Sequence, residues 1–118
     1  MSEMLQVKKL RHWLENDKAY LRKDLRLTDA SEVIPVNRTY LSRIFNNHFK
    51  CSFSACLLKY RLEESKRLLV EHPEMMVREV ALQSGFRTQA TFFHAFRQYE
   101  QTTPAQYRRS HFQRMNRI

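Results

Sequence analysis

The chain has 118 residues, which suffices for one domain or two very small ones with a modest core. Lysine and arginine number 21 against 12 acidic residues, an excess that favours nucleic acid, an acidic membrane surface or an acidic protein as the partner. No apolar run reaches the length of a membrane span, and we expect no signal peptide because basic residues interrupt the N-terminal apolar stretch. We therefore expect a cytoplasmic protein.

Helical periodicity recurs along the chain, and no segment shows the strict alternation of a strand. We predict an all-α fold with about seven helices, several of which begin at Ser, Thr or Asn and end at Pro or Gly. In chain order these are an amphipathic helix over 4–16, a short helix from Thr28 to the Pro35-Val36 break, a helix capped by Asn37 over 38–49, a long helix over 54–71 that stops before Pro73, a short helix ended by Gly85, a helix capped by Thr88, and a last helix opened by Thr103-Pro104.

Two parts of the chain repeat one pattern at a constant offset of 51 residues, which relates Leu41, Phe45 and Phe53 to Phe92, Phe96 and Pro104. The long helix between them is neutral, whereas basic residues dominate both repeated parts. This arrangement predicts a first subdomain over 1–53, a linker helix over 54–72 and a second subdomain over 73–118.

Each repeated part has a short helix, a tight turn and a longer capped helix, which is the outline of a helix-turn-helix. An α-helix fits the major groove of DNA when its first turns present polar side chains and its other face packs on a core. The third and sixth predicted helices meet this condition, and both lack acidic residues from cap to end. The pattern therefore predicts two DNA-reading helices.

The second half carries a set of motifs at fixed spacing: Val80-Ala81, Gly85-Phe86, Thr88, Phe92, Phe96, Pro104, and Tyr107-Arg108. Together they resemble the signature of the AraC/XylS family of bacterial transcription regulators. The first half, with Tyr40-Leu41-Ser42 and Phe45, is similar to the first helix-turn-helix of that family. The resemblance implies a domain that places two recognition helices in successive major-groove segments, in a regulator that activates transcription, with RNA polymerase as a further partner. Any sensor or dimerisation domain is expected to lie outside this chain.

From the family pattern, contacts to base edges fall on Thr39, Ser42, Arg43, Gln89, Ala90, Thr91 and His94, and contacts to phosphates on Arg38, Asn46, Asn47, Thr88 and Arg97. Three positions depart from the glycine that is common in the family. Pro35 requires a first turn of different geometry, and Lys50 and Gln101, if left-handed, each carry a strain of roughly 1–2 kcal/mol.

Two other function classes compete with DNA binding. A helical interaction module that binds an acidic partner would need an exposed apolar stripe or a basic long helix, and Phe93 is the one aromatic that the packing pattern leaves outside. An enzyme is excluded because the five histidines are scattered and share no spacing with an acid or nucleophile. We expect no cofactor and no metal, and we predict that Cys51 and Cys56 are reduced thiols. A zinc site that uses both with His48 lacks an evident fourth ligand.

Overall fold

The structure, a computed structural model, describes residues 1–116, and within this range every regular element is helical. The six α-helices are α1 (Glu3–Glu15), α2 (Arg38–Ile44), α3 (Phe53–Glu71), α4 (Val77–Gln83), α5 (Gln89–Glu100) and α6 (Pro104–Met115). A 3-10 helix at Leu27–Glu32 brings the described total to seven, and a single 3-10 turn lies at Ala19–Leu21. The all-α class and the number of helices are confirmed. None of the described helices is both long and apolar enough to span a bilayer.

Internal contacts divide the chain into two compact units, of which the first is Met1–Tyr60 and the second begins at Arg61. The long helix α3 contributes residues to both units, because the boundary falls inside it. The division into a linker helix over 54–72 between two helix-turn-helix subdomains stays a prediction.

The first unit is built on a core that α1 and α2 share with the 3-10 helix. Leu10 and Leu14 of α1 are fully buried, as are Ala30, Ile34 and Phe45. Burying each of the large side chains stabilises the fold by roughly 1.5–3 kcal/mol relative to leaving it exposed. One face of α1, the face that carries the regularly spaced apolar residues, therefore packs on the rest of the unit.

The second unit is organised around four aromatic rings. The ring centroid of Phe92 lies 5.1 Å from that of Phe86 and 5.6 Å from that of Phe96, and the centroids of Phe96 and Tyr107 are 5.5 Å apart. The three phenylalanines are buried, and such tilted and edge-to-face pairs add to the stability that their burial gives. The motif residues of the second half thus form the core on which α5 packs.

The guanidinium of Arg108 closes the end of α3. It donates to the carbonyl oxygen of Leu69 at 2.8 Å and to that of His72 at 3.2 Å. The last carbonyls of a helix lack partners within the helix, so these bonds satisfy groups that would otherwise need water. The helix ends at Glu71, two residues before Pro73, as the sequence predicts.

Three features differ from the sequence prediction. The predicted second helix is a 3-10 helix, and the predicted third helix is α-helical only to Ile44 and continues as a π-helix over Phe45–Phe49. The prediction of reduced thiols is wrong for this structure, since Cys51 and Cys56 form a disulfide. The physical reason is the first turn of α3: Cys51 stands two residues before the helix and Cys56 is its fourth residue, so the turn brings the two Cα atoms to 6.0 Å, within the usual range for a disulfide.

Candidate nucleic-acid interface

Helix α2 begins at a cap that the sequence predicts. The side-chain oxygen of Asn37 accepts the backbone N–H of Tyr40 at 2.9 Å, which satisfies one of the free donors of the first turn. Ahead of this cap, the N–H of Val36 donates to the carbonyl of Ile34 at 2.8 Å, so that Pro35 sits at the centre of a three-residue turn. The first turn therefore differs from a glycine turn, as Pro35 requires.

The six residues predicted to contact DNA from the first unit line one open groove. We call it the recognition groove; it measures about 570 Å³, and Leu27 completes its lining. The six are Arg38, Thr39, Ser42, Arg43, Asn46 and Asn47. The structure thus brings all the candidates of this unit together on one surface, and their contacts with DNA stay a prediction.

Tyr40 lies beside the recognition groove, outside its lining, and the sequence analysis gives it no contact with DNA. The guanidinium of Arg43 lies over its ring, 4.7 Å from the centroid, and the Tyr40 hydroxyl donates to the side-chain oxygen of Gln6 at 3.0 Å. A cation over an aromatic ring at an exposed site is stabilised by about 0.5–1 kcal/mol. The spacing of three residues on one helix is the sequence signal that could have predicted the pair. The ring restricts where the arginine can point.

The far end of this segment is tied to α1. His48 Nε2 lies 3.1 Å from Glu3 Oε2, and this hydrogen bond holds the pKa of the Glu3 carboxyl below its ordinary value. His48 therefore has a partner on the protein, and both cysteines of the alternative zinc site are bonded to each other. No group of three or more possible metal ligands is found among residues 1–116.

In the second unit, α5 is capped by Thr88, whose hydroxyl oxygen accepts the Thr91 backbone N–H at 3.1 Å. The six candidates of this unit are all exposed: Thr88, Gln89, Ala90, Thr91, His94 and Arg97. Phe92 and Phe96 on the opposite side are fully buried. The prediction that this helix lacks acids to its end is wrong by one residue, because α5 includes Glu100, whose carboxylate lies 3.5 Å from Lys66 Nζ.

Several basic side chains outside the two candidate helices are paired with acidic residues. The distance from a side-chain nitrogen to a carboxylate oxygen is 3.1 Å for Arg22 and Glu32, 2.8 Å for Arg67 and Glu64, and 3.0 Å for Lys66 and Glu63. In the part of the chain that the structure describes, no carboxylate lies within ion-pair distance of Arg38, Arg43 or Arg97. Positive charge that the protein does not neutralise is what phosphate binding requires.

Comparison with known proteins decides the family. Residues 30–110, more than two thirds of the chain, match the family model described as a helix-turn-helix domain. This chain belongs to the AraC-type helix-turn-helix family. That family comprises DNA-binding domains of transcription regulators rather than enzymes.

Relatives and solved structures agree with this assignment. The chain is 29% identical over 104 residues to the Msm operon regulatory protein of Streptococcus mutans. The aligned residues cover 88% of this chain and 35% of the relative. The chain is 32% identical over 87 residues to an HTH-type transcriptional regulator of Haemophilus influenzae, covering 74% of this chain and 29% of the relative. The chain thus spans about a third or less of the length of these curated relatives.

Among solved structures, the C-terminal domain of AraT, a response regulator from Geobacillus stearothermophilus, superposes with a TM-score of 0.81 at 32% identity, covering 89% of this chain and 84% of that one. The DNA-binding domain of AdpA, a global transcriptional factor solved in complex with a target DNA, gives a TM-score of 0.82 over 92% of this chain and 95% of that one. At 22% identity the AdpA domain shows a shared fold.

Proposed function

We propose that this chain binds a specific site on double-stranded DNA and that it reads the site with α2 and α5, one recognition helix from each helix-turn-helix. The recognition groove carries this proposal: six predicted contact residues converge on it, and its arginines have no carboxylate partner among the described residues. Family membership supports the same function, and so does the AdpA domain of the same fold, which was solved with its target DNA.

The residues divide by reach and position. Arg43 is long enough to donate two hydrogen bonds to guanine O6 and N7, and its stacking on Tyr40 limits the directions it can take. Thr39, Ser42, Gln89, Thr91 and His94 present donors and acceptors for base edges, and Ala90 offers a methyl group to thymine. Arg38, Asn46, Asn47, Thr88 and Arg97 are assigned to phosphates, which fix register without reading sequence.

We further propose that the two subdomains over 1–53 and 73–118 are held by the linker over 54–72 so that their recognition helices enter successive major-groove segments. Such an arrangement needs a separation near one turn of DNA, roughly 34 Å or 10 base pairs. If the separation is shorter, the DNA must bend, at a cost of about 1–6 kcal/mol. The site is then asymmetric, about 15–20 base pairs long, and occupied by one chain.

The remaining assignments rest on the family. We propose that the whole regulator acts in the cytoplasm as an activator, that RNA polymerase is a further partner, and that any sensor or dimerisation domain lies outside this chain. No catalysis is proposed. Phe93, whose side chain is 37% exposed beside the His94 ring, is assigned to thymine methyls rather than to an acidic protein partner.

The test is selection of bound duplexes from a random pool, followed by titration of the selected duplex at several salt concentrations. Six to ten phosphate contacts give a log–log slope of about −5 to −9. An Arg97→Ala variant should flatten the slope by about one and weaken selected and random duplexes alike. A slope near zero for the parent chain would exclude DNA binding, and retention on an acidic protein instead would support the interaction module.

A further inference from the structure

The first unit has a second hollow beside the recognition groove, and most of its lining residues are not among the proposed DNA contacts. This side hollow measures about 510 Å³. Arg38 and Ser42 line both hollows, so the two form one continuous surface. The other walls of the side hollow come from residues 25–28, at the start of the 3-10 helix, and from residues 52–54, at the start of α3.

We propose that the side hollow is a binding site for one backbone phosphate of the DNA, held by Arg26 and Arg38 and by the hydroxyls of Thr28, Ser52 and Ser54. The proposal rests on the proposed function, since it extends the same surface. It adds four residues, Arg26, Thr28, Ser52 and Ser54, that neither the family pattern nor the recognition helices supply.

The charge of the side hollow fits an anion. None of the described residues that line it is acidic, and two of them are arginines. Within residues 1–116 neither arginine has an ion-pair partner, in contrast to Arg22, four residues before Arg26, which pairs with Glu32. The two acids nearest to Arg26 in sequence, Asp24 and Asp29, do not line the hollow, and the Asp29 carboxylate accepts the backbone N–H of Arg26 at 2.8 Å.

The hydroxyls supply the neutral donors that usually accompany arginine at a phosphate. The Ser52 oxygen already accepts the Ala55 backbone N–H at 3.1 Å, so its own O–H is left to donate outward. Thr28 and Ser54 are exposed on the same surface. Two guanidinium groups and three hydroxyls can together satisfy the oxygens of one phosphate group.

Position favours a DNA phosphate over a free phosphate ion. A recognition helix in the major groove has a DNA backbone on each flank, so a cationic hollow that adjoins the recognition groove lies where a phosphate passes. Base edges are reached from the recognition groove itself, because Thr39 and Arg43 line that groove and not the side hollow. A residue in the side hollow should therefore add affinity without adding sequence preference.

The first test compares Arg26→Ala with Arg22→Ala in the 118-residue chain, on the selected duplex and on a random duplex of equal length. Losing one phosphate contact changes the log–log salt slope by about 0.9. If the affinities of variant and parent converge on extrapolation to 1 M salt, the variant binds about eight-fold more weakly than the parent near 0.1 M salt. Arg26→Ala should show this loss equally on both duplexes, and the matched control should not. An unchanged slope, or a loss confined to the selected duplex, overturns the proposal.

A second pair of variants tests the same proposal in case Arg26→Ala does not fold. Ser54→Glu puts a carboxylate into the side hollow in the first turn of α3, where an acid is compatible with the helix, and Ser54→Gln is its neutral control. Ser54→Glu should weaken binding at low salt at least as much as Arg26→Ala, with an unchanged thermal unfolding curve. Equal affinity of the two Ser54 variants contradicts a phosphate at this place.

A neutral methylphosphonate, placed at one backbone position of the selected duplex at a time, identifies the phosphate. One position should weaken the parent chain by the same factor as Arg26→Ala and have no further effect on that variant. If no position behaves in this way while inorganic phosphate binds the parent chain better than Arg26→Ala, the hollow holds a free ion and the proposal is wrong. Parent binding with a steep salt slope and no Arg26 effect overturns only this inference, whereas a flat parent slope overturns the proposed function.

Discussion

The two candidate recognition helices are bounded alike and built differently. Each covers twelve residues between equivalent caps, from Asn37 to Lys50 in the first unit and from Thr88 to Gln101 in the second, and both end positions are left-handed, with φ of 62° and 55°. In the second unit, Gly85 with φ of 100° makes the turn and the helix is α throughout. In the first, Pro35 makes the turn and the second part of the helix is π.

The comparison shows which features the repeat requires and which it leaves free. The cap, the buried phenylalanines and the left-handed end recur because they set the start, the packing and the end of the helix. The turn and the internal hydrogen-bond pattern vary, because another local geometry can bring the same face outward. A π-helical stretch within a helix often marks a functional site, and here it carries Asn46 and Asn47 into the recognition groove.

The largest expected effect is a loss of stability when a core ring is removed from one unit or the other. Phe45→Ala and Phe96→Ala remove fully buried rings at positions that the 51-residue offset relates. Each should destabilise its own unit by about 3–5 kcal/mol, because the ring leaves a cavity as well as losing its burial. Hydrogen exchange resolved by residue should show faster exchange mainly in the unit that carries the change; equal acceleration in both units by either variant would mean that they unfold as one.

The next effect concerns specificity. Arg43→Ala should cost roughly 1–3 kcal/mol on the selected duplex and relax the preference at one or two base pairs. Tyr40→Leu should produce part of that loss, since it removes the ring that orients the arginine. Binding to variant duplexes measures both. An equal loss on selected and random DNA would make Arg43 a phosphate contact instead.

The disulfide is a feature of the first unit alone, since the second has no cysteine. Reduction, or the double change Cys51→Ser with Cys56→Ser, removes a closure over a short loop, which corresponds to about 2 kcal/mol in the chain-entropy account. Denaturant unfolding with and without reductant measures the loss. If reductant does not lower the stability of the parent and the double variant is as stable as the oxidised parent, the bond does not contribute to the stability of this unit.

The smallest expected effect is a gain in stability from glycine at the left-handed end of each candidate helix, and the gain should differ between the two ends. Lys50→Gly should stabilise the first unit by about 0.5–1 kcal/mol, because relief of the left-handed strain exceeds the added flexibility of glycine. Gln101→Gly should gain less, since the Gln101 side chain donates to the Gln98 carbonyl at 2.8 Å. Lys50→Ala, which keeps a Cβ, is the control and should not gain. Equal gains from both glycine variants would show that the hydrogen bond is negligible.

Much of the fold follows from local sequence signals. Asn37, Thr88 and Thr103 each cap the helix that the sequence assigns to them, and Pro73 limits α3. These signals act over three or four residues, so a sequence displays them directly. Gly85 likewise adopts the positive φ that its isolated position predicts.

The remaining features depend on contacts that spacing does not reveal. The π-helix at Phe45–Phe49 and an α-helix place apolar residues at nearly the same intervals, so periodicity could not separate them. The disulfide depends on the first turn of α3, which brings Cys56 back toward Cys51, and the lining of the recognition groove depends on how the 3-10 helix packs beside α2. The candidate residues on α2 were predictable as a helix face, whereas the surface they share with Leu27 was not.

The most direct test of the central claim, that both helices read DNA, is to insert five base pairs between the two halves of the selected site. About half a turn of DNA moves the second half-site to the opposite face of the duplex. Affinity should fall to that of a site with only one half intact, and an insertion of about 10 base pairs should restore at most part of it, because the linker cannot lengthen. Unchanged affinity after the five-base-pair insertion would contradict the account and leave a single helix-turn-helix as the reader.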